Sequence, residues 1–290
     1  MLVYNGDFPD PHALRVGDRF FVYATQSGPF NAQVMTSTDL LHWEHLGDAL
    51  PVLPAWSRPG FTWSPAVLQR GDRFVMYVAV REPRYDRQAI AAAVAADPAG
   101  PFRPIDAGPL VFQRHRGGSI DPDPFTDEDG SVHLLFKSDD ELVQGRSQLW
   151  SRRLAADGLS FAGRARRLLR YDLAWEAPLI EAPCLLGHQS GYWLFYSAGR
   201  WTTGAYGIGC AAGTSAQGRF QKLSRDGPWL GSHAGAAGPG GQCVVRDQFG
   251  TAFLLYHAWA PDRIGYESGG ARRLHVTPLT VGPDGPVPPA

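Results

Sequence analysis

Five segments along the chain share one hydrophobic pattern, in which a glycine turn is followed by a run of mostly apolar residues. The segments are VGDRFFVYAT (16–25), RGDRFVMYVAV (70–80), EDGSVHLLFKS (128–138), QSGYWLFYSA (189–198) and QFGTAFLLYHA (248–258). The apolar residues alternate or run continuously, without a sustained 3.6-residue period, and so predict short β-strands rather than a major helix. The glycines stand 54, 59, 61 and 59 residues apart, which is too far for a single hairpin and indicates an internal repeat.

A second marker of the repeat is an aromatic residue that follows a turn-like segment. Its four occurrences are separated by 59 residues each time and are Trp43, Phe102, Phe161 and Phe220. Between the glycine turn and this marker lies a third predicted strand: NAQVMTS, QAIAAAV, SQLWSRRL or YGIGCAA. We therefore predict an all-β fold, a five-bladed β-propeller with four-stranded antiparallel blades around a central channel, built as a single domain from residues 1–290. Two β-sandwiches with similar turns are the alternative, but they would leave the equal intervals to chance.

One segment conflicts with this pattern by composition. The run AIAAAVAA (89–96) favours a helix because alanine is the strongest helix former. It occupies the place of the third strand in its repeat, however, and we predict a strand there.

Composition narrows the class of protein. With 44% hydrophobic and 19% charged residues and a formal net charge of -1, the 290-residue chain is not disordered and has no bulk electrostatic attraction for nucleic acid or an anionic membrane. No apolar stretch reaches the ~18 residues of a membrane span, and MLVYNGDFPDP lacks the features of a signal peptide. We expect a cytoplasmic protein, or a secreted one if a leader has been removed. The three cysteines are too widely spaced for a disulfide scaffold or a zinc site and are expected to be buried.

Candidate chemistry lies just ahead of each glycine turn, where the innermost strand of a blade would line the channel. These segments read DFPDPHAL (7–14), TWSPAVL (62–68), SIDPDPF (119–125), LIEAPCLL (179–186) and GPGGQCV (238–244). Three of them carry an acid close before a proline: Asp10, Asp121 and Glu181. Three carboxylates facing one channel would raise the pKa of at least one of them, which suits the paired acid and base of a glycosidase. The chain has neither a GxSxG elbow nor a GxxxxGK[ST] loop, so serine hydrolysis and phosphoryl transfer are not supported.

Each acid has an alternative interpretation. Asp10 before proline could simply start a turn. Asp121 has acidic neighbours, of which Asp123 is the nearest and Asp127, Glu128 and Asp129 belong to a predicted surface turn. Glu176 shares the sequence EAP with Glu181, but Glu181 lies ten residues before Gly191, comparable to the nine from Asp121 to Gly130, and is preferred for that reason.

The ordered motifs FPDP, WSP, SIDPDPFTDEDG, EAPCLLGHQSGYWLFYS and GPGG…GTAFLLYH resemble those of glycoside hydrolase family 43 from residue 5 to about residue 280. The resemblance implies an inverting glycosidase that acts on arabinose- or xylose-containing chains. It implies Asp10 as general base, Asp121 as the residue that orients the acid and tunes its pKa, and Glu181 as general acid. The motifs differ from the family in two places: Ala66 follows the WSP motif where an acid is common, and Gly241 replaces the histidine of GPGH.

Further residues are implied by the same resemblance. Arg272, with Arg273 as its rival, resembles an arginine directed at the substrate. His257 resembles a histidine that faces a calcium or sodium ion in the channel, or else contacts the substrate; a structural histidine is the alternative, and no cofactor is required. Trp63 is expected to stack on a sugar ring, with blade packing as the alternative, and Trp175 and Trp201 are candidates for the channel rim.

The function predicted from these observations is removal of pentosyl groups, first of all α-L-arabinofuranosyl groups, from plant-type oligo- or polysaccharides. A β-xylosidase, endo-arabinanase or galactanase of the same fold is the alternative within the family. A propeller that binds carbohydrate without cleaving it is the alternative from another class. The expected partner is a carbohydrate, with neither nucleic acid nor a membrane, and the sequence leaves the oligomeric state and the linkage open.

Overall fold

The computed structural model describes residues 1–188 and 191–289, and its strands form five four-stranded antiparallel sheets around a common axis. This arrangement confirms the predicted five-bladed propeller. The first two residues of the fourth glycine-turn segment, 189 and 190, lie outside the described residues, as does residue 290 of the predicted domain.

The first strand of the chain, β1 (Leu2–Tyr4), belongs to the last blade. Blade one contains β2 (His12–Val16), β3 (Arg19–Ala24), β4 (Gln33–Ser37) and β5 (Glu44–Asp48). Blade two contains β6 (Arg58–Arg70), β7 (Arg73–Glu82), β8 (Arg87–Ala95) and β9 (Arg103–Pro104). Blade three contains β10 (Ser119–Thr126), β11 (Val132–Ser138), β12 (Gln148–Arg153) and β13 (Arg166–Arg170).

Blade four contains β14 (Ile180–His188), β15 (Gly191–Ala198), β16 (Gly207–Gly213) and β17 (Phe220–Lys222). Blade five contains β18 (Ala237–Arg246), β19 (Ala252–Trp259) and β20 (Arg273–Pro278), with β1 as its fourth strand. A short hairpin of β21 (Val281–Gly282) and β22 (Gly285–Pro286) follows. The alanine-rich run forms β8, so the expectation of a strand there is confirmed.

The ring closes by pairing the two ends of the chain. Leu2 lies opposite His275 in the register of β1 and β20, and the amide of Val276 donates a hydrogen bond of 2.9 Å to the carbonyl oxygen of Met1. Blade five is therefore built from both ends of the described chain, a feature that the three-residue strand β1 was too short to signal in the sequence.

The hydrophobic core lies between neighbouring blades. On β3, Phe21 and Tyr23 pack into a cluster shared with blade two, whereas Phe20 and Val22 pack into a cluster shared with blades four and five. The two faces of β3 are thus covered by different neighbouring blades. This explains why the strands after the glycine turns read as nearly continuous apolar runs rather than as alternating ones.

Among the residues that the structure describes, the remaining regular structure consists of four short 3-10 turns: Arg114–Arg116, Asp140–Val143, Ala174–Glu176 and Tyr266–Ser268. Within the described residues, no helix has the length and apolar character needed to cross a membrane. Cys184, Cys210 and Cys243 are buried as free thiols, as expected.

Candidate active site

The innermost strands share one unusual backbone position at the channel. Where each innermost strand passes the channel, one residue has a positive φ, between 48° and 57°. These five residues, called the ring below, are Asp10, Ser64, Asp121, Ala182 and Gly241. In blades one to four this residue precedes a proline. In blades two to five the register with the second strand shifts there, as in a β-bulge, which bends the strand and redirects its side chains.

A cavity of about 450 Å³ opens above this ring, which is a size typical of small-molecule sites. Asp10, Asp121 and Glu181 all line it, so residues more than 50 positions apart in sequence face one space from three blades. Trp63 and Arg272 line it as well. Trp201 lines it too, so the structure brings together six of the residues singled out in the sequence.

Asp10 is held in a cationic, hydrogen-bonded environment. Its Oδ2 accepts a hydrogen bond of 2.6 Å from the Thr25 hydroxyl, and its Oδ1 lies 3.4 Å from both Arg272 Nη1 and His257 Nδ1. Burial by itself would raise the pKa of this carboxyl, but the charge of Arg272, that of His257 when protonated, and the Thr25 hydrogen bond together lower the pKa below its usual value. Asp10 is therefore ionised at neutral pH.

Asp121 lies in the opposite electrostatic situation. Its Oδ1 accepts a hydrogen bond from the Ser64 hydroxyl and its Oδ2 accepts one from the Ala182 amide, both at 2.8 Å. Burial and the neighbouring Glu181 carboxylate raise the pKa of Asp121 to about 8, against the lowering effect of Lys137. Because the two carboxyls interact strongly, the proton held near neutral pH belongs to the Asp121–Glu181 pair.

Glu181 is bound on both carboxylate oxygens. Oε1 accepts a hydrogen bond of 2.6 Å from the Tyr206 hydroxyl, and Oε2 lies 3.5 Å from Lys137 Nζ. Burial and the charge of Glu181 raise the pKa of Tyr206 well above its usual value, so this phenol remains a donor. The Glu181 side chain is 13% exposed and reaches the cavity while its neighbours fix its orientation.

Arg272 is packed between aromatic rings at the wall of the cavity. Its guanidinium carbon lies 4.6 Å from the ring centre of Trp201 and 5.6 Å from that of Tyr266, and its Nε donates to the Tyr266 hydroxyl at 3.0 Å. Trp201 lines the cavity, in line with its proposed place at the rim. Trp175 lies elsewhere: its indole NH donates to the Ser224 carbonyl and its ring packs on Tyr196.

His257 lies behind Asp10 rather than in the cavity. It is fully buried, stacks on Tyr206 with the ring centres 6.1 Å apart, and its Nδ1 accepts the Asp10 amide at 3.0 Å. That bond places the proton of the neutral ring on Nε2, which has no partner among the described residues. Burial lowers the pKa of His257 to about 3, so the ring is neutral at neutral pH. The expected substrate contact of His257 is therefore not made directly here.

The calcium or sodium ion implied beside His257 has no ready-made cluster of charged or histidine ligands among the described residues. Both ions prefer several oxygen ligands, and the described residues contain no group of three or more acids, histidines or cysteines arranged to hold a metal. The ion implied by the family resemblance stays a prediction, and no step proposed below depends on it.

Glu176, the rival of Glu181, is fully buried in blade four, away from the cavity. It forms an ion pair of 2.7 Å with Lys222 and accepts a hydrogen bond of 2.9 Å from the Tyr196 hydroxyl. These contacts hold the 3-10 turn at Ala174–Glu176 against the neighbouring strands. The repeat offset, rather than the EAP sequence, was the correct guide to the acid in the cavity.

Two residues that hold the acids, Thr25 and Lys137, escaped sequence analysis, and they share one place in the repeat with Ser197 and His257. All four lie across the sheet from the bulge of the innermost strand, on or directly after the second strand of their blade. Lys137 and His257 each follow the glycine of their turn by seven residues, in runs that are otherwise apolar. A charged or polar residue there was the available signal.

The two departures from the family motifs have different surroundings. Ala66 is buried in a narrow waist of the channel below the cavity. Gly241 lies so close to its neighbours that an added Cβ would stand 2.5 Å from His257 Nδ1 and 2.8 Å from Asp10 Oδ1. The glycine therefore makes room for the contact between this histidine and Asp10.

A five-bladed propeller whose cavity holds carboxyls with opposite pKa shifts has the features of a glycosidase. The sequence profile of glycosyl hydrolases family 43 matches residues 2–287, and the chain belongs to this family.

Among curated proteins, the chain is 24% identical over 212 residues to a putative β-xylosidase of Xylanibacter ruminicola, covering 69% of this chain and 36% of that protein. It is 27% identical over 161 residues to an extracellular endo-α-(1→5)-L-arabinanase of Thermotoga petrophila, covering 44% and 33%. A β-D-galactofuranosidase of Aspergillus niger is 24% identical over 275 residues, covering 88% and 75%. The matches thus span about a third of the first two relatives.

Solved structures agree on the fold. A thermostable family-43 glycoside hydrolase is 26% identical with a TM-score of 0.84, over 98% of this chain and 95% of that one. An endo-1,4-β-xylanase from Bacteroides thetaiotaomicron, 23% identical, superposes with a TM-score of 0.82 over 100% and 97%.

Proposed function

We propose that this chain is an inverting glycosidase that removes terminal pentosyl groups, first of all α-L-arabinofuranosyl groups, from oligo- or polysaccharides. One observation carries the proposal: Asp10, with a lowered pKa, and Asp121, with a raised pKa, line the same cavity together with the carboxyl of Glu181. Inverting glycosidases need one ionised carboxylate and one protonated carboxyl on opposite sides of the scissile bond.

Asp10 is the proposed general base. Its carboxylate is held ionised and oriented toward the cavity by Thr25 and Arg272. In the proposed step, Asp10 takes a proton from water while the water oxygen bonds to the anomeric carbon. The bond from that carbon to the leaving oxygen breaks at the same time, and the sugar is released with inverted anomeric configuration.

Glu181 is the proposed general acid and gives its proton to the leaving oxygen. Asp121 accepts hydrogen bonds on both oxygens, as suits an ionised carboxylate, and its charge favours retention of the shared proton on Glu181. After product release, Asp10 returns its proton to solvent and the Asp121–Glu181 pair takes one up.

Trp63 and Arg272 are the proposed substrate contacts. The half-buried indole of Trp63 offers an apolar face to a sugar ring, and the Arg272 guanidinium offers donors to sugar hydroxyls beside Asp10. The names of two relatives refer to arabinan and to galactofuranosides, which supports a furanoside rather than a pyranoside as the preferred substrate. The name of a third, a β-xylosidase, keeps a xyloside as the second candidate.

The proposal is tested with a panel of nitrophenyl glycosides, arabinan and arabinoxylan, with the anomer of the first product read by NMR. We expect Asp10→Asn and Glu181→Gln each to lower kcat/KM by about 10²- to 10⁴-fold, the usual contribution of one general acid or base. Glu128→Gln, which changes an exposed acid outside the cavity, is the matched control and should retain full activity.

Two results would contradict the proposal. Unchanged hydrolysis by Glu181→Gln would remove the assigned acid. Tight glycan binding by the wild-type protein, without product from any substrate of the panel, would favour the propeller that binds carbohydrate without cleaving it.

A further inference from the structure

A buried lysine lies directly behind the proposed acid. Lys137, on β11 next to β10 in the sheet, is only 2% exposed, and its Nζ lies among three carboxylates. It donates to Asp139 Oδ1 at 2.8 Å, contacts Glu141 Oε1, and lies 3.5 Å from Glu181 Oε2. Burial alone would lower its pKa, but these carboxylates raise the pKa well above its usual value, so Lys137 is a cation.

The three contacts of this cation are unequal. Asp139 and Glu141 lie on the segment that follows β11 and take the close contacts, whereas Glu181, on the next blade, receives only the long one. A full ion pair with Lys137 would hold Glu181 ionised and unable to act as an acid. An apolar residue in place of Lys137 would leave three acids without their cation.

We propose that Lys137 is a positioning residue for the reaction, whose charge is shared between Asp139, Glu141 and Glu181 so that Glu181 keeps its orientation and can still carry the proton that it gives to the leaving oxygen. The inference rests on the proposed role of Glu181 as general acid. It goes beyond that role because it assigns the control of proton release to a side chain that does not line the cavity.

Other polar and charged groups surround Lys137 and Glu181. Asp121 interacts electrostatically with both Glu181 and Lys137. Tyr206 donates a hydrogen bond to Oε1 of Glu181. Asp140, next to Asp139, is paired with Arg116 at 2.9 Å and does not contact Lys137. Asp139 and Glu141 are therefore the carboxylates that compete with Glu181 for the lysine charge at close contact.

This arrangement predicts opposite shifts from two substitutions. Lys137→Met removes the cation, so the acid pair holds its proton more strongly and the alkaline limb of the kcat/KM profile moves up by about one pH unit or more. Asp139→Asn removes one of the two close competitors, so more of the lysine charge acts on Glu181 and the same limb moves down. Lys137→Arg keeps the cation and should leave the limb close to that of the wild type.

The chain offers a matched control in its only other lysine. Lys222 is 9% exposed and paired with Glu176 and Asp172, away from the cavity. Lys222→Met therefore breaks a comparable buried ion cluster and should lower Tm without moving the alkaline limb. A merely structural Lys137 would behave in the same way.

The experiment measures kcat/KM from pH 5 to 10 on the best nitrophenyl pentoside, together with Tm. Opposite shifts in Lys137→Met and Asp139→Asn support the inference. An unmoved limb in either folded variant overturns it, and if Lys137→Met does not fold, Asp139→Asn decides alone. A wild-type protein inactive toward every glycoside would refute the proposed function, whereas an active one with an unmoved limb refutes this inference alone.

Discussion

Gly241 permits a test of the proposed base through a single methyl group. Its φ is +57°, and a Cβ there would stand 2.5 Å from Nδ1 and 2.6 Å from Cε1 of His257, and 2.8 Å from Oδ1 of Asp10. His257 is fully buried and stacked on Tyr206, so it has little room to yield. Gly241→Ala should therefore push the Asp10 carboxylate out of its place.

The loss of stability expected for Gly241→Ala has two parts. Holding alanine in the left-handed region costs about 1–2 kcal/mol, and forcing a methyl group into a packed site costs about 1–3 kcal/mol more. Gly17→Ala isolates the first part, because Gly17 has a φ of +62° and an added Cβ would meet nothing within 4 Å. The two variants share the backbone strain and differ only in the collision.

The assay compares Tm and kcat/KM of both variants on the same aryl pentoside. We expect Gly17→Ala to lose stability alone, and Gly241→Ala to lose more stability and roughly 100-fold in kcat/KM, the effect of about 1 Å of misplacement in a catalytic group. Equal kcat/KM in the two variants would refute the reasoning, because it would show that the position of Asp10 against His257 does not matter for the reaction.

Two further predictions concern the acid pair. Tyr206→Phe removes the 2.6 Å hydrogen bond to Glu181 and should lower kcat/KM by roughly 10- to 100-fold, since a hydrogen bond to a charged group contributes about 1.5–3 kcal/mol. Tyr192→Phe, which removes a similar 2.7 Å bond to Asp127 outside the cavity, should leave the activity unchanged, and an equal loss in both would contradict the assignment. Burial and the Glu181 carboxylate raise the folded-state pKa of Asp121, which shares its proton with Glu181, to about 8, above its unfolded value, so the contribution of this pair to stability is present at low pH and lost as pH rises from about 4 to 8. The Tm of Asp121→Asn relative to the wild type should therefore increase over that range, and a difference independent of pH would argue against the raised pKa.

The blades and two of the acids were predictable because they follow the repeat. Asp10 and Asp121 occupy the same left-handed position before a proline, where a short polar side chain tolerates a positive φ. Glu181 departs from this rule, since Ala182 holds the left-handed position of its blade and the acid stands one residue earlier. Glu181 is still located by its distance of ten residues from Gly191, because the corresponding distances for Asp121 and Asp10 are nine and seven.

The supporting residues could not be identified with the same certainty, because their partners come from other blades. Thr25 bonds Asp10 within its own blade, but Lys137 of blade three supports Glu181 of blade four, and His257 of blade five contacts Asp10 of blade one. Such contacts depend on the distance between blades, which a repeat period does not report. The repeat period likewise does not report the pairing of β1 with β20, which closes blade five.

The contacts at the five ring positions also explain why only two of these positions carry acids. Ser64 donates its hydroxyl hydrogen to Asp121, and its amide donates at 2.8 Å to the Thr25 hydroxyl that binds Asp10, so one small residue supports both carboxylates. The Ala182 amide supplies the second donor to Asp121, and Gly241 leaves space for the contact with Asp10. An acid in place of Ser64 would remove the hydroxyl donor to Asp121, and an additional acid at any of these positions would add a like charge, which is costly to bury. Small residues at the other three positions are therefore the condition under which two acids of opposite pKa shift can share this channel.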